Sequence, residues 1–370
     1  MILGMSAEQE ELRASVKRFL ADRAPLPRVR ELMDGGETDW AVWEQAGSQL
    51  GLQGLAIPES YGGAGFSFAE QAVVLEEFGA ALYGGPYLAS AVLAATALLA
   101  SPDEGARRGL LPDIASGQTV ATLAFAEDGG SWDPAAIRLS AVKDGEAWRL
   151  DGHKSFVLDG AAAGLILVAA ATDAGLSLFA VEGDAAGLGR AALPALDQTR
   201  QLARLEFAGV TGRLIGSPGD GAAALDRALD VAAIALAAEQ LGGAQRALDM
   251  AVEYAKVRRQ FDRPIGSFQA IKHRCADLLL EVESLRSAVG YAAAAVAEDS
   301  AEIPVLASLV KAYASETYFH VAAENIQIHG GIGFTWEHDA HLYFKRAKAS
   351  ELFLGDGAYH RERLANRIGL

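Results

Sequence analysis

The stretch Gln327-Ile328-His329-Gly330-Gly331-Ile332-Gly333-Phe334, roughly seventy residues after Arg258-Arg259-Gln260-Phe261, decides how this chain is read. Two adjacent glycines let another backbone approach closely and present N–H donors with no Cβ in the way, and an arginine offers a planar, permanently charged fork for a diphosphate. Together they suit a dinucleotide. Each alone is commonplace: an Arg before a Phe on a helix is usually a solvated charge beside a core residue, and Gly-Gly is usually a turn or a C-cap. Their order carries the reading. Arg258 and Phe261 lead into Pro264-Ile265-Gly266-Ser267-Phe268-Gln269, then the glycine run, then a helical Tyr343-Phe344-Lys345-Arg346-Ala347-Lys348. The Arg258-to-Phe261 spacing predicts both side chains on adjacent turns of one helix face.

Composition bounds the rest. A length of 370 residues allows two or three units, and 51% hydrophobic against 22% charged residues gives ample apolar side chain for cores. A formal net charge of -16 without a basic cluster argues against a nucleic-acid partner. Met1-Ile2-Leu3-Gly4-Met5 is too short for a signal segment, and the long apolar runs are Ala-rich and broken by charges, so a cytoplasmic protein with no membrane partner is expected. The single cysteine, Cys275, excludes an intrachain disulfide and reads as a small hydrophobe.

Periodicity divides the chain. Residues 1–118 read as helical, with Leu12, Val16, Phe19 and Leu20 near helical spacing and further stretches over Phe66–Phe78 and Leu88–Leu99. Residues 119–215 turn strand-like: Ala121–Phe125, Ala147–Leu150, Leu165–Val168, Leu176–Val181 and Leu205–Phe207 are short apolar runs bounded by Gly, Asp and Pro. Residues 216–370 are helical again, with long Ala-rich stretches over Leu225–Arg258, Gln269–Ala297 and Pro304–His329 that predict an antiparallel bundle in which alanine permits close helix approach. No fixed repeat points to a solenoid.

The C-terminal succession of motifs resembles the acyl-CoA dehydrogenase family. Two more segments extend the resemblance over essentially the full chain: Ile57-Pro58-Glu59-Ser60-Tyr61-Gly62-Gly63-Ala64-Gly65, and Trp148-Arg149-Leu150-Asp151-Gly152-His153-Lys154, the latter like a strand and turn. The resemblance implies a mainly α fold with an N-terminal helical domain, a β-barrel-like middle domain and a C-terminal four-helix bundle. It also implies FAD, an acyl-CoA substrate desaturated between its α and β carbons, and electron-transfer flavoprotein as redox partner. In the family the flavin ring packs on the middle domain of one subunit, while a neighbour holds the adenosine diphosphate end. The holding positions here are Arg258, Phe261, Gln327, Gly330 and Gly331.

The catalytic base is not in its usual places. Most family members carry a Glu before Gly-Thr near the last helix, where this chain has Leu354 in Leu352-Phe353-Leu354-Gly355-Asp356-Gly357. Others carry it on the first long helix of the C-terminal domain, where the Gly242-Gly243-Ala244-Gln245 register gives Ala232. Leucine and alanine accept no proton. Where the middle domain of the family has Thr-Glu-Pro-Gly-Ala-Gly-Ser-Asp, this chain has Ala126-Glu127-Asp128-Gly129-Gly130-Ser131-Trp132-Asp133, and a family Trp and Thr two apart become Phe156 and Leu158. The retained motifs reach toward a neighbour's flavin and the altered ones serve the chain's own. That asymmetry resembles the heterotetrameric acyl-CoA dehydrogenases of bacterial steroid side-chain degradation, in which a homologous subunit supplies the Glu. A silent clamping subunit and an active homomer with another base are the alternatives.

Two acids compete for the base: Glu239, seven residues beyond Ala232 and roughly 10 Å along the same helix, and Asp356, whose position after Gly355 favours an N-cap. Glu127 keeps a family position with a structural role. His329, His338 and His341 do not have the spacing of a metal site. The loop Gly62-Gly63-Ala64-Gly65 lacks the strand and Lys of a P-loop and reads as a turn, and no Ser-His-Asp or activated Cys arrangement is legible.

Overall fold

A computed structural model describes residues 4–35 and 38–370. Met1, Ile2 and Leu3, the start of the segment read as too short for a signal, lie outside the described residues. The chain runs through helices α1 (Ala7–Arg23), α2 (Leu26–Gly35), α3 (Trp40–Leu50) and α4 (Phe68–Ala81), then a π-helical turn (Leu88–Ala94) into α5 (Ala95–Ala100), and α6 (Glu104–Ala115). Strands β1 (Ala121–Ala124), β2 (Ser140–Asp144), β3 (Ala147–Leu158), β4 (Leu165–Thr172), β5 (Gly175–Glu182), β6 (Leu188–Leu193) and β7 (Leu202–Ile215) follow. Then come α7 (Gly221–Val257), a hairpin of β8 (Arg259–Gln260) and β9 (Arg263–Pro264), and α8 (Gln269–Ala297), α9 (Ile303–His329), α10 (Ala340–Leu352) and α11 (Gly357–Arg367).

One compact unit gathers the residues up to Glu31, Phe68–Tyr83 and Ala233–Leu370. Its centre is α9, which packs on α8, α10 and α11. α9 buries Val310, Ala314, Tyr318 and Val321 at helical spacing, together with Ser308, Lys311, Ser315 and Asn325. A polar stripe inside a helix bundle must find partners in the bundle. Arg367 donates to Ser308 Oγ at 2.9 Å, and Lys311 Nζ donates to Ser315 Oγ at 2.9 Å. Glycine brings α4 and α7 into backbone contact at one crossing. A Cβ on Gly79 of α4 would stand 1.8 Å from the Glu239 carbonyl oxygen, and one on Gly242 of α7 would stand 1.7 Å from that of Glu76. The α4 and α7 backbones touch there, and no larger residue fits either position.

The second unit comprises Leu32–Ser67 and Gly84–Ala232. Strands pair in the order β1-β4-β2-β3-β7-β5, with β6 on β7, and an added β4–β5 pairing closes the sheet on itself. Closure follows from alternation: Ile166, Val168 and Ala170 on β4, Phe179 and Val181 on β5, and Ala203, Leu205 and Phe207 on β7 all point into one core. β2 and β6 do not appear as apolar runs because they are mostly exposed, with alanine as the one buried residue of β2. Trp148 to Lys154 is continuous strand within β3 rather than strand and turn; the register slips between Leu150 and Asp151, so the chain bulges without reversing.

Candidate functional site

The end of α7 and the end of α9 meet. Ala251 and Ala255 of α7 form a small core with Ile328 of α9, joined by Tyr254, Ile265, Ile271 and Cys275. The Tyr254 ring stacks on His329 with centroids 4.2 Å apart. This brings the Arg258 segment and the Gly330-Gly331 run to one end of the bundle. Arg258, Phe261, Gln327, Gly330 and Gly331 are all exposed there.

Arg258 and Phe261 do not share a helix face. α7 stops at Val257, and the chain turns into the β8–β9 hairpin with Phe261 (φ 52°) and Asp262 (φ 60°) at its tip. The Ile265 N–H closes the hairpin on the Arg258 carbonyl at 2.8 Å. Two successive positive φ values suit a tight hairpin, but the usual residues for them are Asn and Gly. A phenylalanine there is strained, and it is 86% exposed, its ring in edge contact with Phe268, centroids 6.2 Å apart.

The glycine run is held from behind. His329 is buried, donates through Nδ1 to the Asn325 carbonyl at 2.8 Å, and lies 4.4 Å, ring to ring, from His338. Burial holds it below the ordinary histidine range. The N–H of Ala340 is accepted by His338 Nδ1 at 3.1 Å, and His341 Nε2 donates to the Trp336 carbonyl at 3.3 Å. Gly330 takes φ 65°, which calls for glycine. Gly331 is different: a Cβ there would meet nothing within 4 Å. The chain's own packing does not require that glycine, whereas a molecule laid against its backbone would.

The base positions lie elsewhere. Leu354 is 4% exposed with φ 62°, and Ala232 is 0% exposed. The Leu354 loop is tied on three sides. Lys311, fully buried, donates to the carbonyls of Glu351 at 3.1 Å and Gly355 at 2.9 Å. His360 Nε2 donates to the Leu354 carbonyl at 3.0 Å. Asp356 accepts the Tyr359 N–H at 2.8 Å and caps α11, the capping role its position suggests. Burial and the Lys311 ammonium push His360 down to about 3. Lys311 and Ile328 are seventeen residues apart on α9, so the loop and the glycine run sit roughly 25 Å apart along that helix.

Glu239 is paired. Its carboxylate meets Arg346 of α10 at 2.6 Å, with side chains 8% and 2% exposed. Arg346 is the buried partner that reading Glu239 alone misses. The signal is present, because Leu342, Tyr343, Arg346, Ala347 and Ser350 form one buried face of α10, and an arginine on such a face needs a buried acid. Glu127, in the barrel, accepts the N–H groups of Arg138 at 2.9 Å and Leu139 at 2.8 Å and the Lys154 ammonium at 2.9 Å. Burial alone would raise its carboxyl; those donors outweigh it and hold it down. Burial lowers Lys154 to about 8. Cys275 is half-buried, and burial raises its thiol. Among the described residues no group of His, Cys, Asp and Glu is placed to hold a metal ion, and no helix is long and apolar enough to cross a membrane.

Comparison with known proteins identifies the family. Residues 6–118 match the acyl-CoA dehydrogenase N-terminal domain and residues 219–369 the C-terminal domain. The acyl-CoA dehydrogenase IpdE2 of Mycobacterium tuberculosis is 37% identical over 349 residues, 94% of this chain and 93% of that one. The structure of a variant of the Tcur3481-Tcur3483 steroid ACAD superposes with a TM-score of 0.89 at 34% identity over 98% of both chains. The ChsE4-ChsE5 complex from Mycobacterium tuberculosis gives 0.91 at 31% identity, over 100% of this chain and 99% of that one. The chain therefore belongs to the acyl-CoA dehydrogenase family, oxidoreductases whose cofactor is FAD.

Proposed function

We propose that this chain is one subunit of a heteromeric acyl-CoA dehydrogenase, in which it holds the diphosphate end of an FAD seated mainly on a homologous partner, and the partner supplies the carboxylate that removes the α-proton. The observation that carries this reading is the contrast between an intact, exposed clamp and two apolar base positions. Leu354 and Ala232 are buried hydrocarbon, Glu239 is in a buried ion pair, and Asp356 caps a helix. Support also comes from the ChsE4-ChsE5 structure, a complex of two differently named chains, and from the steroid ACAD, which favours a bulky polycyclic acyl-CoA.

The clamp residues fit FAD. The exposed Arg258 guanidinium is suited to the diphosphate, the Gly330 and Gly331 backbone lies open to close approach, and Phe261 offers an aromatic cover held by a strained turn. FAD, when bound, supplies the acceptor for the hydrogen leaving the β carbon. This chain's part is to orient and retain it, and residues 1–118, 119–215 and 216–370 act in that scheme as helical, barrel and bundle domains of one subunit. Electron-transfer flavoprotein is the proposed redox partner, and a dimer of dimers the proposed assembly.

The chain purified alone is expected to be colourless and to gain the flavin absorbance band on co-expression with its partner. Arg258→Ala should lower flavin retention by the assembly by about ten- to a hundredfold, the effect of losing a charge-assisted contact worth roughly 1.5–3 kcal/mol. Unchanged occupancy would remove the clamp assignment.

A further inference from the structure

Several features of the barrel converge on Phe156. The β3–β7 register slips between Lys154 and Val157, and Phe156 takes φ 57° in that bulge. A bulge with a positive φ re-aims its side chain, and an aromatic residue there is strained unless its surroundings fix it. They do. The Ser155 N–H donates to the Ala126 carbonyl at 2.9 Å and Lys154 Nζ donates to the Phe125 carbonyl at 2.9 Å, strapping the end of β1 to the bulge. Ser155 Oγ and a two-pronged Arg204 contact, at 3.0 and 2.9 Å, then fasten Asp128. Arg204 and Ser155 hold its carboxyl down to about 2. Glu127 closes the segment from 127 to 139 by accepting the N–H groups of Arg138 and Leu139 at 2.9 and 2.8 Å. The closed loop carries Trp132 back onto the barrel. Its ring centre lies 5.9 Å from that of Phe125 and 6.2 Å from that of Phe156.

Those distances are ordinary aromatic packing, and the three rings make one cluster. A flavin ring needs a face to stack on and donors along its edge of N and O acceptors. Ala126, Phe156 and Leu158 carry no side-chain donor, and the Ser155 N–H is already taken by Ala126. Trp132 stands where the matching family segment has a small serine, and its ring packs at a 50° tilt against that of Phe156.

We infer that Phe125, Trp132 and Phe156 form a built-in aromatic stopper on this chain's own barrel, taking the place of a flavin ring, so that the subunit serves one flavin through its clamp and seats none itself. This rests on the clamp reading above and adds the residue that enforces it, Trp132.

Riboflavin tests the stopper alone, because it has the ring without the diphosphate that Arg258 would hold. Titrated into the unmodified chain, it should show no saturable quenching of its fluorescence. The triple variant Trp132→Ser, Phe156→Trp, Leu158→Thr, compared at an unchanged melting midpoint, should bind at least tenfold more tightly, and Trp132→Phe, which keeps a ring in place, should not. A folded triple variant that binds no better overturns the stopper. Saturable binding by the unmodified chain overturns it too, and this arm decides the matter if the variants fail to fold. The clamp fails separately, through unchanged FAD retention by the assembly carrying Arg258→Ala.

Discussion

At the clamp end Phe261 is 86% exposed and Gly331 touches nothing that would exclude a Cβ, whereas Leu354 is 4% exposed and its loop is tied by Lys311, His360 and Asp356. The same helix, α9, supports both regions. One end presents groups that the chain's own fold leaves unused, and the other closes hydrogen bonds on itself. A strained, exposed aromatic and a glycine that the fold does not need leave room for a ligand, while the carbonyls of the Leu354 loop are already taken by Lys311 and His360.

The strongest way to break this comparison is through the Glu239–Arg346 pair. Arg346→Met removes the guanidinium from a buried carboxylate and should cost about 3–5 kcal/mol, read by urea denaturation. Glu239→Gln in the complete assembly should leave dehydrogenation within several-fold of normal, because loss of a true general base costs about 10² to 10⁴ in rate. A drop of that size with FAD still bound would make Glu239 the base.

Acid should act on the Leu354 loop through His360. His360 titrates at about 3 in the fold instead of the ordinary 6.5. Between those values the unfolded chain binds a proton that the folded chain refuses. Stability from this group is therefore full above about 6.5 and is lost as the pH falls toward about 3, by an amount on the order of a few kcal/mol. His360→Gln should flatten the pH slope of the unfolding free energy across that window; an unchanged slope would assign the acid sensitivity to another group.

Gly331→Ala sharpens the contrast from the clamp side. Stability should stay within about 0.5 kcal/mol, because the added methyl meets open space. FAD retention should fall about tenfold if a ligand backbone or diphosphate lies against that position, at the scale of one lost charge-assisted contact. Equal retention would detach the glycine run from the cofactor. The smallest effect is expected at Asp356: Asn caps nearly as well as Asp, so Asp356→Asn should change stability by only about a few tenths of a kcal/mol and leave turnover intact.

Much of this was legible in the sequence, for identifiable reasons. Long Ala-rich periodicity gave α8 at Gln269–Ala297 and placed α7 and α9 closely, and Gly355-Asp356 gave the cap of α11. Spacing failed at Arg258 and Phe261, because three residues fit one helix turn as readily as the corner of a hairpin, and only the positive φ values of Phe261 and Asp262 decide between them. The exposed strands β2 and β6 carry little apolar signal. The buried face of α10 calls for an acid opposite Arg346 but does not say which one, and the Trp132–Phe156 contact has no local signal at all.

The Gly79–Gly242 crossing has a consequence for how the chain is made. α4 can dock only onto α7 and its neighbours, because its backbone lies directly on theirs, and the unit it completes is assembled from three separated segments ending in Ala233–Leu370. During synthesis α1 and α4 leave the ribosome long before those helices exist, with Val16, Leu20, Val74 and Phe78 still lacking their final cover. The barrel segment, by contrast, is complete before the bundle begins. Nascent chains stalled just after Ala232 has cleared the ribosome should therefore hold a protease-resistant barrel beside helices that still bind a chaperone, and release from that chaperone should coincide with the emergence of α9.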